Sequence, residues 1–240
     1  MLSFRLDNSQ QRSWPDYLAE RAAVAHDPRL QRFFSTGCPA PDTPIGEAPL
    51  LALDMETTGL DANRHAIVSI GLVPFTLQRI TPGASRYWVL KPPRPLTESS
   101  IAYHHITHSE IDRAPDLSDI AEELLEAMAG RLIVAHYYRL ERSFLDSAFE
   151  ARLGEGLRFP MLDTMVLEAK RYRHSWRARL ASWVGKPQAS IRLQDSRDRY
   201  GLPAYTSHHA LTDALATAEL LQAQIAYHHS PQTPIGSLWV

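Results

Sequence analysis

Apolar residues change rhythm along this chain. From Ala48 to Leu53 they run almost unbroken, as in a strand buried on both faces. Ala66 to Val73 and Arg86 to Leu90 are rich in β-branched and aromatic residues and are separated by turn residues, which predicts two more strands and an antiparallel meander. The period then lengthens. Leu117, Ile120, Leu124, Leu125 and Met128 recur at helical spacing between Asp116 and Ala129, with Gly130 as the stop. Leu132 to Ala135 predicts a short buried strand, about 139 to 153 a helix, Phe159 to Leu162 another short strand, and the stretch to Tyr200 several helical pieces. A last helix is expected over Ala210 to Tyr227. Strands first, then helices alternating with short strands, indicate an α/β domain with a mixed five-stranded sheet flanked by helices.

The pattern before residue 48 differs. Trp14-Pro15-Asp16 can open a helix, and Tyr17, Leu18, Ala22, Val24 and Ala25, then Leu30, Phe33 and Phe34, give it an apolar side. Gly37 to Pro49 contains Pro39, Pro41, Pro44 and Pro49 and reads as an extended connector. The expected organisation is a helical extension with a Pro-rich connector at 1–47, the main domain at 48–229 and a tail at 230–240. The extension is expected to pack on the main domain or on a second subunit, which leaves a homodimer open.

Composition narrows the classes. A chain of 240 residues with 44% hydrophobic content can bury a full core. A net charge of -2 excludes a broad basic surface, so a nucleic-acid partner would be gripped locally, by its end. The single cysteine, Cys38, cannot form an intrachain disulfide, which points to a reducing compartment. Residues 1–12 carry no apolar signal-like run and no stretch approaches a membrane span. A soluble, cytoplasmic protein with no membrane partner is expected.

Four acids and one histidine carry the chemistry. Asp54 and Glu56 are two apart at the end of the first strand, so both project to one face. Two carboxylates about 4 Å apart repel by roughly 4 kcal/mol at an effective dielectric near 20, so a cation should sit between them. Oxygen ligands suit Mg²⁺ or Mn²⁺. Glu141 falls near the middle of the apolar stripe formed by Leu140, Phe144, Leu145, Ala148 and Phe149, where it is either a metal ligand or a buried partner of Arg139 or Arg142. Asp146, five residues on, faces away. Asp213 lies on the flank of the last helix. His208 could meet it only from the loop before that helix, and there its near-neutral pKa would suit it to take a proton from water.

Together these residues resemble the DEDDh 3′-5′ exonucleases, a family that includes the proofreading epsilon subunit of bacterial replicative DNA polymerase, RNase T and oligoribonuclease. The likeness rests on Asp54-x-Glu56 followed by Thr57-Thr58-Gly59-Leu60, on Val134-Ala135-His136 ahead of an acidic helix start, and on His208 with four residues to Asp213. Asp163-Thr164, Ala169-Lys170 and the stretch Leu193 to Pro203 are also similar, and the resemblance covers about residues 49 to 227. It implies a ribonuclease H-like fold. It also implies that Asp54, Glu56, Glu141 and Asp213 hold two Mg²⁺ or Mn²⁺ ions, about 3.5 to 4 Å apart in such sites. His208 would be the general base, and nucleoside 5′-monophosphates would leave from a single-stranded 3′ end, with DNA favoured over RNA. By the same similarity, the chain around Met55, Glu56, Thr57 and Thr58 would meet the terminal 3′ hydroxyl and Leu60 the terminal base. His104, in His104-His105-Ile106-Thr107, stands in a substrate loop where the family has His-Gly-Ile-Thr.

One departure stands out. The family's second motif reads His-Asn, two or three residues, then Phe-Asp, whereas this chain has His136-Tyr137-Tyr138-Arg139-Leu140-Glu141. The extra methylene shifts the carboxylate by roughly 1.5 Å. A longer acid could ligate directly where a shorter one acts through water, and an active enzyme is expected. The alternatives are an oligoribonuclease-like RNA trimming enzyme, or a degenerate member that binds nucleic acid or protein without cleaving. The most basic stretch, Lys170, Arg171, Arg173, Arg177 and Arg179 with Tyr172, His174 and Trp176 between them, is a candidate phosphate track through Arg173 and Arg177. A polymerase partner is not specified by the sequence.

Overall fold

The computed structural model describes residues 13–93, 106–173, 188–206 and 208–240. Two helices come first, α1 (Trp14–Val24) and α2 (Pro28–Thr36). They are separate because Pro28 occupies the first turn of α2 and Asp27 caps it, its side chain accepting from the Arg29 N–H at 2.8 Å. Glu155 captures the linker, accepting from the N–H groups of His26 and Asp27 at 2.8 Å each. The single apolar side expected over Tyr17 to Phe34 is therefore split. Leu18, Leu30, Phe33 and Phe34 are buried in the same cluster as Leu51 and Leu53, while Val24 is 58% exposed and lies outside it.

The sheet contains β1 (Leu50–Thr57), β2 (Ile67–Phe75), β3 (Arg86–Val89), β4 (Leu132–Ala135) and β5 (Met161–Asp163), in the order β3-β2-β1-β4-β5. The first three strands form the expected antiparallel meander, and β4 and β5 add in parallel. Among the described residues the remaining α-helices are α3 (His108–Asp112), α4 (Leu117–Met128), α5 (Tyr138–Leu153), α6 (Thr164–Tyr172), α7 (Leu193–Arg199) and α8 (Ala210–His228). Local chemistry sets their ends. Asp116 and Asp119 form a capping box on α4, and Gly154, at φ 70°, stops α5 in the left-handed conformation that glycine adopts without strain.

Alternation along β1 sorts the core into two layers. Leu51, Leu53 and Met55 face the layer that contains α4 and α5. Leu50 and Ala52 face α8, where they pack with Ala214, Ala218, Leu221 and Ile225. Asp54 and Glu56 continue this second series, so the pleat itself aims both acids at α8. The C-terminal segment is pinned to the same layer. Ile235 and Leu238 are buried in it, and the Val240 N–H donates to the Met161 carbonyl at 2.7 Å. Among the described residues no helix is long and apolar enough to cross a membrane.

Candidate active site

The carboxyl ends of the parallel strands β1, β4 and β5 lie at one edge of the sheet, and β1 runs antiparallel to β2 on its other side. Ligands of open α/β sheets gather at such an edge. Asp54 and Glu56 reach it from β1, Glu141 from the first turn of α5, and Asp213 from the first turn of α8. Carboxylate oxygens of Asp54, Glu56 and Asp213 lie within 4.8 Å of one another.

Gly71 makes this approach possible. It pairs with Asp54 across β1 and β2, and a Cβ there would stand 2.4 Å from the backbone of Ala210 and Leu211. Without a side chain at 71, the start of α8 rests directly on β2 and Asp213 comes down over the acids. An isolated glycine inside a strand pattern is a sign of close backbone approach, so Gly71 was the signal in the sequence for this contact.

Glu141 sits beside the trio and is not one of its three closely grouped members. It is 3% exposed, and its Oε2 has no hydrogen-bond partner. Among the described residues the alternative of a buried ion pair is not found. Arg142 donates to the carbonyls of Phe159 and Val240 at 3.0 and 2.6 Å, and Arg139 lies over the Tyr138 ring. Asp146, as expected, turns away, to Arg158 at 2.7 Å.

Like charge and burial push this cluster toward protonation. Burial, then the fields of Glu141, Asp213 and Glu56, raise Asp54 well above the usual carboxylate range. Glu56 is raised to about 7 by burial and by Asp213. Burial raises Glu141, reinforced by Asp163 and Glu56, and burial also raises Asp213, opposed by the N–H and ring of His208. These acids repel one another, and no cationic side chain among the described residues pairs with Asp54, Glu56 or Glu141.

His208 lies on the loop, two residues ahead of α8, as convergence with Asp213 requires. Its φ is 71°, and its N–H donates to Asp213 Oδ2 at 2.8 Å. Next to it, His209 stacks on Tyr87 of β3 with ring centroids 4.6 Å apart. This contact, which the sequence did not indicate, ties the histidine loop to the meander.

The other expected contacts are placed unevenly. Met55 points to the opposite face and is buried in the core, so only its backbone borders the acids. Thr57 Oγ1 donates to the Gly59 carbonyl at 2.7 Å, and Thr58 Oγ1 accepts from the Ala66 N–H at 3.0 Å. Both hydroxyls shape the turn after β1. Leu60 stands out from that turn, 83% exposed. Arg173 donates through Nε to the Ala189 carbonyl at 3.0 Å. His104 and Arg177 lie outside the described residues.

Comparison with known proteins identifies the family. The sequence profile of the RNase T family, described as an exonuclease, matches residues 51–221. The chain is 27% identical over 177 residues to DNA polymerase III subunit epsilon of Treponema pallidum, covering 74% of this chain and 76% of that protein. It is 28% identical over 180 residues to a DNA polymerase III subunit epsilon-like protein of Rhodobacter capsulatus, covering 74% of this chain and 24% of that one. Against the PolC-type DNA polymerase III of Thermotoga maritima the identity is 26% over 179 residues, and the match spans 12% of that polymerase. Among solved structures, exonuclease X in complex with 5′ overhanging duplex DNA aligns with a TM-score of 0.59 and 21% identity over 79% of this chain and 98% of that one. The cell-death related nuclease CRN-4 aligns with a TM-score of 0.61 and 17% identity over 77% and 65%. At these identities the structural likeness is one of fold, the ribonuclease H-like fold of these exonucleases. The family profile reaches further: the chain belongs to the RNase T family and is a 3′-5′ exonuclease.

Proposed function

We propose that this exonuclease removes nucleotides one at a time from the 3′ end of single-stranded nucleic acid, DNA in preference to RNA, and releases nucleoside 5′-monophosphates. The observation that carries the reading is the convergence of Asp54, Glu56 and Asp213, three buried or half-buried carboxylates within 4.8 Å of one another. That donor set fits hard divalent cations, Mg²⁺ or Mn²⁺. The unpartnered Oε2 of Glu141 beside it is a fourth oxygen looking for a positive partner.

Asp54, Glu56, Asp213 and Glu141 would hold two such ions. Bound there, the ions would offset the carboxylate repulsion and stabilise charge developing on the phosphodiester. His208 accepts the proton of the attacking water. Asp213 has a second task, because by accepting the His208 N–H it fixes the loop that presents the imidazole. The turn after β1 meets the last nucleotide, with the backbone of Glu56 and Thr57 at the 3′ hydroxyl and Leu60 against the base.

The test is to incubate 3′-labelled and 5′-labelled single-stranded DNA, RNA and dinucleotides with the protein and Mn²⁺, with and without a chelator. Chelator-sensitive shortening from the 3′ end with monophosphate products is expected, fastest on DNA. Preference for dinucleotides of RNA would turn the reading to an oligoribonuclease. Binding without cleavage of any substrate would reject it.

A further inference from the structure

Asp163 is the most heavily used carboxylate near the site, and neither the metal-binding reading nor the base reading employs it. It ends β5, is 1% exposed, and accepts four backbone N–H groups. Its Oδ1 accepts from Met165 at 2.7 Å and Val166 at 3.3 Å, the ordinary cap of its own helix α6. The same oxygen accepts from Tyr137 at 3.2 Å, and Oδ2 accepts from Tyr138 at 3.0 Å. Those last two donors open α5, 25 and 26 residues earlier in the chain. One carboxylate therefore caps two helices.

The start of α5 needs this help. Tyr137 is the N-cap residue of α5, its side chain makes no capping bond, and its φ of 99° puts a bulky residue in a region that costs about 1 to 3 kcal/mol. The parallel pairing of Ala135 with Asp163 brings the Asp163 carboxylate alongside this elbow. Thr164 closes it from the same side, its Oγ1 lying 3.1 Å from the Ala135 carbonyl and 2.8 Å from His136 Nδ1. Glu141 follows three residues after Tyr138, so the register and tilt of the first turn of α5 decide where its carboxylate lies.

We propose that Asp163 is a positioning residue for Glu141: by capping α5 across the sheet it holds the strained 136–138 elbow and so delivers the Glu141 carboxylate to the cation site. This rests on the reading of Glu141 as a metal ligand. Supporting partners of this kind typically contribute 10- to 100-fold in metal affinity.

Asp163→Ser separates the two caps, since serine caps its own helix well but is too short to reach Tyr137 and Tyr138. The expected result, by calorimetry with Mn²⁺ on the full chain, is a loss of at least about 10-fold in affinity. Turnover should be recovered at high Mn²⁺, so that the metal requirement moves and kcat at saturation does not. Asp163→Asn, which keeps the Oδ1 bonds and sets an amide against the Tyr138 N–H, should lower affinity in the same direction with α6 intact, and it serves if the serine variant does not fold. In the Glu141→Gln background, Asp163→Ser should cost no further affinity, because the two act as one unit. Wild-type Mn²⁺ affinity in Asp163→Ser and Asp163→Asn, or a full additional loss in the double variant, would overturn the proposal. Wild-type affinity in Glu141→Gln alone would instead remove Glu141 from the metal site, a failure of the underlying reading that is seen without touching Asp163.

Discussion

Glu141 and Glu168 are both helical glutamates, 3% and 1% exposed, on helices that follow neighbouring parallel strands. Their surroundings are opposite. Glu168 Oε2 accepts from Arg199 Nε at 3.1 Å and Nη2 at 2.5 Å, and its Oε1 from the Tyr200 hydroxyl at 2.7 Å and Gln224 Nε2 at 2.9 Å. Every oxygen is used and the charge is matched. Glu141 has an orphaned oxygen, three acids for neighbours in Asp54, Glu56 and Asp163, and no ion pair among the described residues. Burying a charge is costly unless it is paired, so one site is built for the fold and the other carries a cost that an outside cation would relieve. Burial alone does not distinguish a structural acid from a functional one, but the accounting of partners does.

The comparison is sharpened most by a change on the functional side. His208→Ala should reduce turnover by about 10²- to 10⁴-fold, the span of a positioned general base, with Mn²⁺ affinity nearly kept. Single-turnover rates together with calorimetry would show it. A wild-type rate would take the proton-transfer role away from His208.

Glu168→Ala should do the reverse. Losing the partner of Arg199, whose side chain is 23% exposed, should cost about 3 kcal/mol, or about 6 to 12 °C of melting temperature for a chain of this size. The variant should still bind Mn²⁺ once folded. A melting temperature unchanged in the metal-free protein would mean that the Arg199, Tyr200 and Gln224 contacts contribute little and that the contrast with Glu141 is false.

The acid cluster should also set the pH dependence of the metal-free protein. Glu56, at about 7 in the fold against an ordinary 4.5, binds more proton in the native than in the unfolded state between those values. Stability should therefore fall by about 2 kcal/mol as pH rises from about 4.5 to 7 and then level off, a figure already reduced for solvent screening. Buried His136, held below its ordinary 6.5 by desolvation, has the opposite sign and loses stability as pH falls through its folded value. Urea titrations of wild type and Glu56→Gln at several pH values isolate the carboxylate contribution, and coincident curves would show that Glu56 is not raised. Saturating Mn²⁺ should abolish the fall, because bound cation displaces the proton.

The smallest effect is expected from Glu141→Gln without metal. Removing a like charge while keeping the shape should leave the melting temperature unchanged or raise it by a few degrees, about 1 kcal/mol. A marked drop would reveal a stabilising partner for Glu141 and return it to the class of Glu168.

Much of this was legible in the residues. Periodicity located all five strands and the long helices to within a few residues, because a period of 2 or 3.6 is a local consequence of backbone geometry. The spacing of Asp54 and Glu56 already required a common face, and the five-residue separation of His208 and Asp213 already required a loop. The split of the N-terminal helix at Asp27 and Pro28 was readable from its capping residues and was not used. Which face β1 turns toward α8 was not readable, since alternation defines two faces without naming their neighbours.

What the sequence determined by itself is therefore the set of elements and the chemical identity of the acids, both properties of short stretches. Only the tertiary structure decided that three carboxylates would come within 4.8 Å while Glu141 stands beside them, that Gly71 would admit the start of α8, and that Asp163 would cap two helices. Each of these joins residues 25 to 159 positions apart. The reason is physical: distances between distant segments follow from how the strands pair and how closely backbones pack, and no local pattern encodes them.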